Sequence, residues 1–251
     1  MRVIKRIILM LQFLTTIPIK YEVEAGNEDF GKGLAFAPLI GLVIGIILAF
    51  SFVVLNMLLP QQLCVALILI EYIVLTGGLH LDGLGDTFDG LFSNRPKERM
   101  LEIMRDSRVG TNAVLAIVSV FLLNFAFLSE FYSNYIIKML ILFPVAGRLG
   151  SIVGASLSKY ARSGEGLGKS FIDYCGKKEL VIGTAIYLII FLVAGLNNFL
   201  WIFPIISAVV LIKLFGKKID GATGDVLGAV CELNQTIFII VSYIILNVVG
   251  R

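Results

Sequence analysis

The chain has 251 residues and a net charge of +3; 58% of its residues are hydrophobic and only 16% are charged. Soluble domains carry about 25% charged residues, so this composition excludes an ordinary soluble protein. The small net charge, without any basic-aromatic module, argues against nucleic-acid binding. Three scattered cysteines suggest neither a disulfide framework nor a zinc site. We therefore predict an all-α, polytopic membrane helix bundle forming one integral membrane domain over residues 1–251.

The N-terminal segment is basic before it becomes apolar. Arg2, Lys5 and Arg6 precede the apolar run Ile7–Leu14, after which Pro18 stops the helix. The run is short for a membrane span and basic at one end, so we predict an interfacial helix. It lacks a small-residue cleavage site, and we do not expect a cleaved signal peptide.

Seven longer apolar stretches follow, and each is close to the length that a transmembrane helix needs. They cover about Gly33–Leu59, Leu63–Leu79, Ala113–Phe131, Tyr135–Leu157, Leu180–Leu196, Leu200–Phe215 and Val226–Val249. In the first, Gly41 and Gly45 predict a small-residue packing face. A tight turn at Asn197-Asn198 is predicted between the fifth and sixth spans.

Lysines and arginines are distributed unevenly between the predicted loops. Nearly all of them lie at the N-terminus and in the loops after the second, fourth and sixth spans. The positive-inside rule places these segments in the cytoplasm and the C-terminus outside. We therefore predict a protein of the cytoplasmic (inner) membrane whose long polar segments, 80–112 and 158–179, face the cytoplasm.

A glycine-rich and aspartate-rich stretch, residues 77–90, follows the second span directly. In a helix, Asp82, Asp86 and Asp89 would lie at i, i+4 and i+7, on one face. Clustered carboxylates repel one another unless a cation lies between them. A hard divalent cation with oxygen ligands, Mg²⁺ or Mn²⁺, fits this pattern.

A second stretch, Asp220-Gly221-Ala222-Thr223-Gly224-Asp225, is similar to Asp82-Gly83-Leu84-Gly85-Asp86. Both follow a span that enters the cytoplasmic side, and whether they form an internal repeat stays open. Glycines let backbone amides approach a ligand closely, and carboxylates hold metal.

Basic residues accompany these carboxylates. They are Arg105, Arg108, Arg148, Arg162, Lys213 and Lys217. Carboxylates and cations together suit a metal-bound diphosphate, because the metal bridges phosphate oxygens and the basic side chains neutralise the remaining charge. Alternatively, some of these residues only follow the positive-inside rule. Arg148 lies inside a span and needs an anionic partner, either a carboxylate or a phosphate.

Three motifs resemble the cobalamin synthase (adenosylcobinamide-GDP ribazoletransferase) family. They are residues 11–18, LQFLTTIP; residues 77–91, GGLHLDGLGDTFDGL; and residues 104–111, MRDSRVGT. The stretches YAR at 160–162, GLG at 166–168 and GATGDVLGA at 221–229 resemble later motifs of that family. Thr16 stands where arginine is expected, and Gly85 and Phe88 stand where small alanine-like residues are usual.

The resemblance implies a Mg²⁺-dependent membrane enzyme of cobalamin (vitamin B12) biosynthesis. It would join adenosylcobinamide-GDP to α-ribazole or α-ribazole 5′-phosphate and release GMP. The form of ribazole, the number of metal ions and a homo-oligomeric state stay open. A lipid headgroup enzyme of the CDP-alcohol phosphotransferase type is the alternative of similar chemistry. A divalent-cation transporter is the alternative of another class.

The candidate residues fall into three overlapping sets. The candidate metal ligands are Asp82, Asp86, Asp89, Asp225 and Asp220. The candidate catalytic residues are Asp82, Asp86, Asp89, Asp106 and His80, although a lone histidine more often caps a helix. The candidate substrate-binding residues are Arg105, Arg108, Arg148, Arg162, Lys213, Lys217, Gly83, Gly85 and Gly224.

Overall fold

The computed structural model describes residues 2–196 and 199–249, and this part of the chain is helical apart from its connections. The helices are α1 Arg2–Leu14, α2 Asn27–Gly33, α3 Ala37–Leu55, α4 Gln61–Thr76, α5 Leu79–Leu91, α6 Lys97–Ile103, α7 Thr111–Ser129, α8 Ser133–Leu157, α9 Leu167–Tyr174, α10 Lys177–Val193, α11 Phe203–Ile219 and α12 Gly224–Tyr243. The predicted all-α class is confirmed. The predicted turn at Asn197-Asn198 lies outside the described residues.

All seven predicted spans occur as helices, namely α3, α4, α7, α8, α10, α11 and α12. Five of them are long and apolar enough to cross a membrane alone, and α4 makes a sixth when it is counted together with α5. The shorter α10 has 17 residues and begins with Lys177, Lys178 and Glu179. The chain is therefore an integral membrane protein with a polytopic helix bundle.

Helix α8 is the most deeply buried of the long apolar helices. It packs against α3 at the two glycines that the sequence singled out. A Cβ atom at Gly41 would lie 2.7 Å from the carbonyl oxygen of Pro144, and one at Gly45 would collide with the backbone of Ile141. The predicted packing face is confirmed, because only glycine allows this close approach.

The second predicted span ends three residues early, at Thr76, and the chain bends by 90° before α5. Gly77 and Gly78 have positive φ angles of 61° and 68°, a conformation that glycine adopts without strain. If α4 crosses the membrane, a helix perpendicular to it runs along the membrane plane. In that case, helix α5 lies across the end of the bundle.

The N-terminal helix α1 ends at Leu14, ahead of Pro18, and the following residues pair with α4. The backbone N–H of Thr16 donates to the carbonyl of Leu75 at 2.8 Å, and its hydroxyl donates to Val74 at 2.8 Å. These bonds satisfy carbonyls at the end of α4. The interfacial position of α1 stays a prediction.

Candidate active site

Helix α5 carries the predicted aspartate face. Leu81, Leu84 and Leu91 are buried against the bundle, whereas Asp82 is exposed and Asp86 and Asp89 are half-buried. The 3.6-residue period of the helix separates these two sets. The structure confirms that the three carboxylates lie on one helix, α5, and that the leucine face of this helix packs against the bundle.

Glycines bring α5 into contact with the N-terminal end of α12. A Cβ atom at Gly83 would lie 2.9 Å from the carbonyl oxygen of Asp225, and one at Gly228 would lie 3.3 Å from the Cα atom of His80. The backbones therefore cross almost in contact, which places Asp82 beside Asp225. Gly83, predicted to bind substrate, has this packing role in the structure.

A cleft of about 260 Å³ opens where α5, α8, α9 and α12 meet. Its polar side chains are His80, Asp82, Ser151 and Asp225, and backbone of Gly83 and Gly224 lines it too. These residues come from segments far apart in the chain. The two glycine-aspartate motifs that the sequence singled out thus form one cavity.

Arg162 supplies positive charge at this cavity. Its Nη2 atom donates to Oδ2 of Asp225 at 2.8 Å, and its Nε atom is buried without a hydrogen-bond partner. A backbone bridge between Tyr160 and Ala222 holds the Arg162 segment beside the loop that precedes α12. The arginine is therefore fixed next to the carboxylates, with one donor unused.

The Asp86 carboxyl is partly buried and lies among other negative charges. Burial raises its pKa to about 7, and repulsion from Asp82 and Asp225 adds to the rise. Asp89 acts in the same direction, whereas Arg162 opposes it. The four carboxylates therefore have more negative charge than the Arg162 guanidinium neutralises.

Asp89 also forms hydrogen bonds at the start of α7. Its carboxylate accepts hydrogen bonds from the backbone N–H groups of Gly110 at 2.6 Å and Ala113 at 2.9 Å. Such bonds satisfy N–H groups that the first turn of a helix leaves unpaired. Asp89 thereby ties α5 to α7, and its oxygens keep lone pairs for a further ligand.

The chain is similar in sequence to proteins of one known family. The sequence profile of the family described as cobalamin-5-phosphate synthase matches residues 6–243. The chain belongs to the cobalamin-5-phosphate synthase family. The matched range takes in every helix that forms the cleft, and it confirms the resemblance seen in the sequence motifs.

Relatives resemble the chain over nearly its whole length. A protein of Clostridium acetobutylicum is 62% identical over 244 residues, covering 96% of this chain and 97% of its own length. A protein of Acetivibrio thermocellus is 54% identical, covering 97% and 99%, and one of Thermoanaerobacter pseudethanolicus is 40% identical, covering 94% and 95%. All three are named adenosylcobinamide-GDP ribazoletransferase. No solved structure matches the chain.

In this member of the cobalamin-5-phosphate synthase family, several predicted site residues lie away from the cleft lining. Asp106 forms an exposed pair with Arg108 at 2.6 Å, which holds its pKa at about 2. Asp220 is exposed and pairs with Lys97 at 3.2 Å. The remaining three basic candidates are exposed: Arg105, Lys213 and Lys217. Gly85 packs against Ala113 of α7.

Arg148 is fully buried and forms part of a polar network within the bundle. Its Nη1 atom donates to the Tyr72 hydroxyl at 3.2 Å and to the side-chain oxygen of Gln235 at 3.3 Å. The Tyr72 hydroxyl donates in turn to Glu232 at 2.7 Å. The anionic partner that Arg148 requires is therefore a carboxylate reached through Tyr72.

The sequence indicates that Arg148 needs a partner, but it does not indicate that Tyr72 and Gln235 are the residues that bond to it. Glu232 was a detectable signal, because a buried acid and a buried arginine in one membrane bundle favour pairing. The tyrosine and the glutamine gave no such signal, since both side chains are uncharged. Their positions in α4 and α12 become meaningful only once those helices pack against α8.

Among the described residues, one group of three has metal-ligating atoms within 4.8 Å of one another: His80, Cys231 and Glu232. The aspartates of the cleft are spaced more widely. This spacing suits Mg²⁺, which keeps several waters and takes only one or two carboxylates directly. The compact group lies beside the positive charge of Arg148 and contains a thiol, which Mg²⁺ does not favour.

Proposed function

We propose that this protein transfers the adenosylcobinamide phosphate of adenosylcobinamide-GDP to a hydroxyl of α-ribazole or α-ribazole 5′-phosphate and releases GMP. One observation carries the proposal: in a chain 62% identical to a relative named for this reaction, the two glycine-aspartate motifs line one cleft, and Arg162 bonds to Asp225 of that lining. Carboxylates for a metal and a guanidinium for phosphate are what diphosphate chemistry requires.

Mg²⁺ is the cofactor that we propose for this cleft. The donor set fits it, because every candidate ligand is a carboxylate and because, after burial, repulsion from Asp82 and Asp225 contributes to the raised pKa of Asp86. Asp82 and Asp225 of the lining would hold the ion together with Asp86, which lies beside them outside the lining, and Asp89 is at the edge of the set. Bound Mg²⁺ would neutralise the diphosphate and stabilise the charge that develops on the leaving GMP.

Side chains at the cleft would bind a phosphate oxygen and accept the proton of the attacking hydroxyl. Arg162 would give its unused Nε–H to a phosphate oxygen, while its Nη2 atom stays on Asp225. The attacking hydroxyl forms a new P–O bond at the phosphorus next to cobinamide, and the P–O bond to GMP breaks. One of the cleft aspartates would take the proton from that hydroxyl.

The two alternative functions explain less of the structure. The match to the cobalamin-5-phosphate synthase family along residues 6–243 disfavours the lipid headgroup enzyme. A cation transporter would need a path of unpaired acids through the spans. Instead, Glu232 accepts a hydrogen bond from Tyr72 beside Arg148, and Glu71 accepts one from Ser51 at 2.8 Å.

We also propose that the cleft faces the cytoplasm from the inner membrane, as the loop charges predict. Single cysteines at Glu165 and Gln62, both exposed, would test this orientation after removal of the three buried native cysteines. In intact cells, an impermeant maleimide should label Gln62→Cys and spare Glu165→Cys. The reverse pattern would contradict the orientation.

The reaction itself is tested with purified protein in detergent. Adenosylcobinamide-GDP, α-ribazole and Mg²⁺ should yield GMP and a joined corrinoid in equal amounts, and EDTA should stop the reaction. Omission of α-ribazole is the control for simple hydrolysis. GMP release that is independent of the acceptor would contradict the transfer reaction.

A further inference from the structure

The lining of the cleft has a polar and an apolar part, and Leu79 of α5 and Leu227 of α12 add to the apolar part. All polar side chains come from α5, α8 and α12. The side chains from α1, α9 and the turn before α3 are apolar: Phe13, Leu14, Leu34, Leu167 and Phe171. The rings of Phe13 and Phe171 lie 5.2 Å apart, so two aromatic side chains pack together at this wall. We call these five side chains the apolar wall.

The size and chemistry of the apolar wall discriminate between the parts of the proposed substrates. A cleft of about 260 Å³ is smaller than sites for drug-sized ligands, so it holds one small ring system and not a corrin. Guanine would bury its amide and amino groups against side chains that cannot hydrogen-bond, at a penalty for each group. The benzimidazole of α-ribazole is flat and largely hydrocarbon, and such a ring packs well against phenylalanine.

We propose that the apolar wall binds the aromatic base of the acceptor, with its ribose toward Asp82 and Asp225. This inference rests on the proposed function and adds the binding position of one substrate. His80 lines the same cleft and is buried, and its Nδ1 atom has no hydrogen-bond partner. A ribose hydroxyl would supply that partner, so the polar part of the lining matches the sugar as the apolar part matches the base.

Protection from a thiol reagent tests the position directly. Leu167 lines the cleft and is 44% exposed, whereas Tyr174, on the same helix, is 42% exposed and lies outside it. On a background without native cysteines, α-ribazole should slow maleimide labelling of Leu167→Cys by roughly tenfold or more and leave Tyr174→Cys unchanged. Protection by GMP and not by α-ribazole would overturn the proposal, as would equal effects at both positions.

Kinetics with matched variants supply the second measurement. Phe171 and Phe30 belong to one aromatic cluster, with ring centroids 6.2 Å apart, but only Phe171 lines the cleft. Phe171→Leu should raise the KM for α-ribazole roughly two- to tenfold, the scale of one aromatic contact, and leave the KM for adenosylcobinamide-GDP unchanged. Phe30→Leu should change neither.

The KM values of the two variants test the base subsite, and turnover by the wild type tests the transferase function on which that subsite rests. A rise in the donor KM with Phe171→Leu, or equal effects of the two variants on the acceptor KM, contradicts the apolar wall while turnover by the wild type upholds the transferase. A wild type that makes no GMP from both substrates contradicts the transferase itself, and the base subsite with it.

Discussion

Two polar clusters of this protein contain arginine and carboxylates, and they differ in charge balance. At the end of the bundle, Asp82, Asp86, Asp89 and Asp225 surround a single guanidinium, that of Arg162. The second cluster lies inside the bundle, where one arginine, Arg148, and one acid, Glu232, are joined through Tyr72. We call them the end cluster and the inner cluster.

The difference shows how a ligand site can be told from a structural network. The inner cluster balances its charges internally, one arginine against one acid, although Nε and Nη2 of Arg148 are buried without hydrogen-bond partners. The end cluster keeps an excess of negative charge. Excess charge at an accessible cleft indicates a place prepared for a charged ligand.

The largest effect is expected where the inner cluster is broken. Arg148→Met leaves the Glu232 carboxylate buried without its cation, so the free energy of unfolding should fall by about 3–5 kcal/mol. Thermal unfolding in detergent would measure the loss. Adding Glu232→Gln to Arg148→Met removes the stranded charge and should recover much of the stability. A single variant as stable as the wild type would contradict the structural role of this pair.

Activity should be affected most by charge removal in the end cluster. Asp86→Asn keeps the shape of the side chain but removes a charged oxygen ligand, so we expect GMP release to fall at least about a hundredfold. Glu102→Gln changes an exposed carboxylate on α6 and serves as the control. Stability should change little in Glu102→Gln and should not fall in Asp86→Asn, because that substitution removes a charge that burial disfavours. Turnover of Asp86→Asn within a few-fold of the wild type would contradict the metal assignment.

The affinity of the end cluster for Mg²⁺ should depend on pH. The folded pKa of Asp86, about 7, lies above its unfolded value near 3.8, so without metal this group makes unfolding easier as pH rises between these values. Mg²⁺ requires the ionised form, and its affinity should fall about tenfold for each pH unit below 7. Isothermal titration at pH 6, 7 and 8 would measure this.

Asp82→Asn provides the check on that explanation. Removing this neighbouring charge lowers the repulsion that contributes to the raised pKa of Asp86. The onset of the affinity loss should therefore move to lower pH, although the affinity itself is weaker. An onset that stays near pH 7 would mean that Asp82 does not interact with Asp86.

The smallest effect is expected at Asp220, where the two motifs that look alike in sequence diverge in structure. Asp82 lines the cleft, whereas Asp220 is exposed and pairs with Lys97. Exposed ion pairs contribute about 0–1 kcal/mol, so Asp220→Asn should lower turnover less than about fivefold. A loss as large as that of Asp86→Asn would place Asp220 in the ligand set after all.

The sequence by itself determined the features that depend on neighbouring residues. Apolar length gave the membrane helices, the 3.6-residue period gave the shared face of Asp82, Asp86 and Asp89, and the spacing of Gly41 and Gly45 gave a packing face. Each follows from the hydrogen-bonding geometry of a single helix. The glycine-aspartate motif also carried the family resemblance, which the matching profile confirmed.

Only the tertiary structure decided which charged residues act together. Arg162 meets Asp225 across 63 positions of the chain, and Tyr72 meets Glu232 across 160. In the sequence, Arg148 and Arg162 were both candidate phosphate ligands. Helix packing assigns one to a buried, balanced network and the other to an open cleft, because burial and partners arise from contacts between helices, and a pattern within one helix contains no information about them.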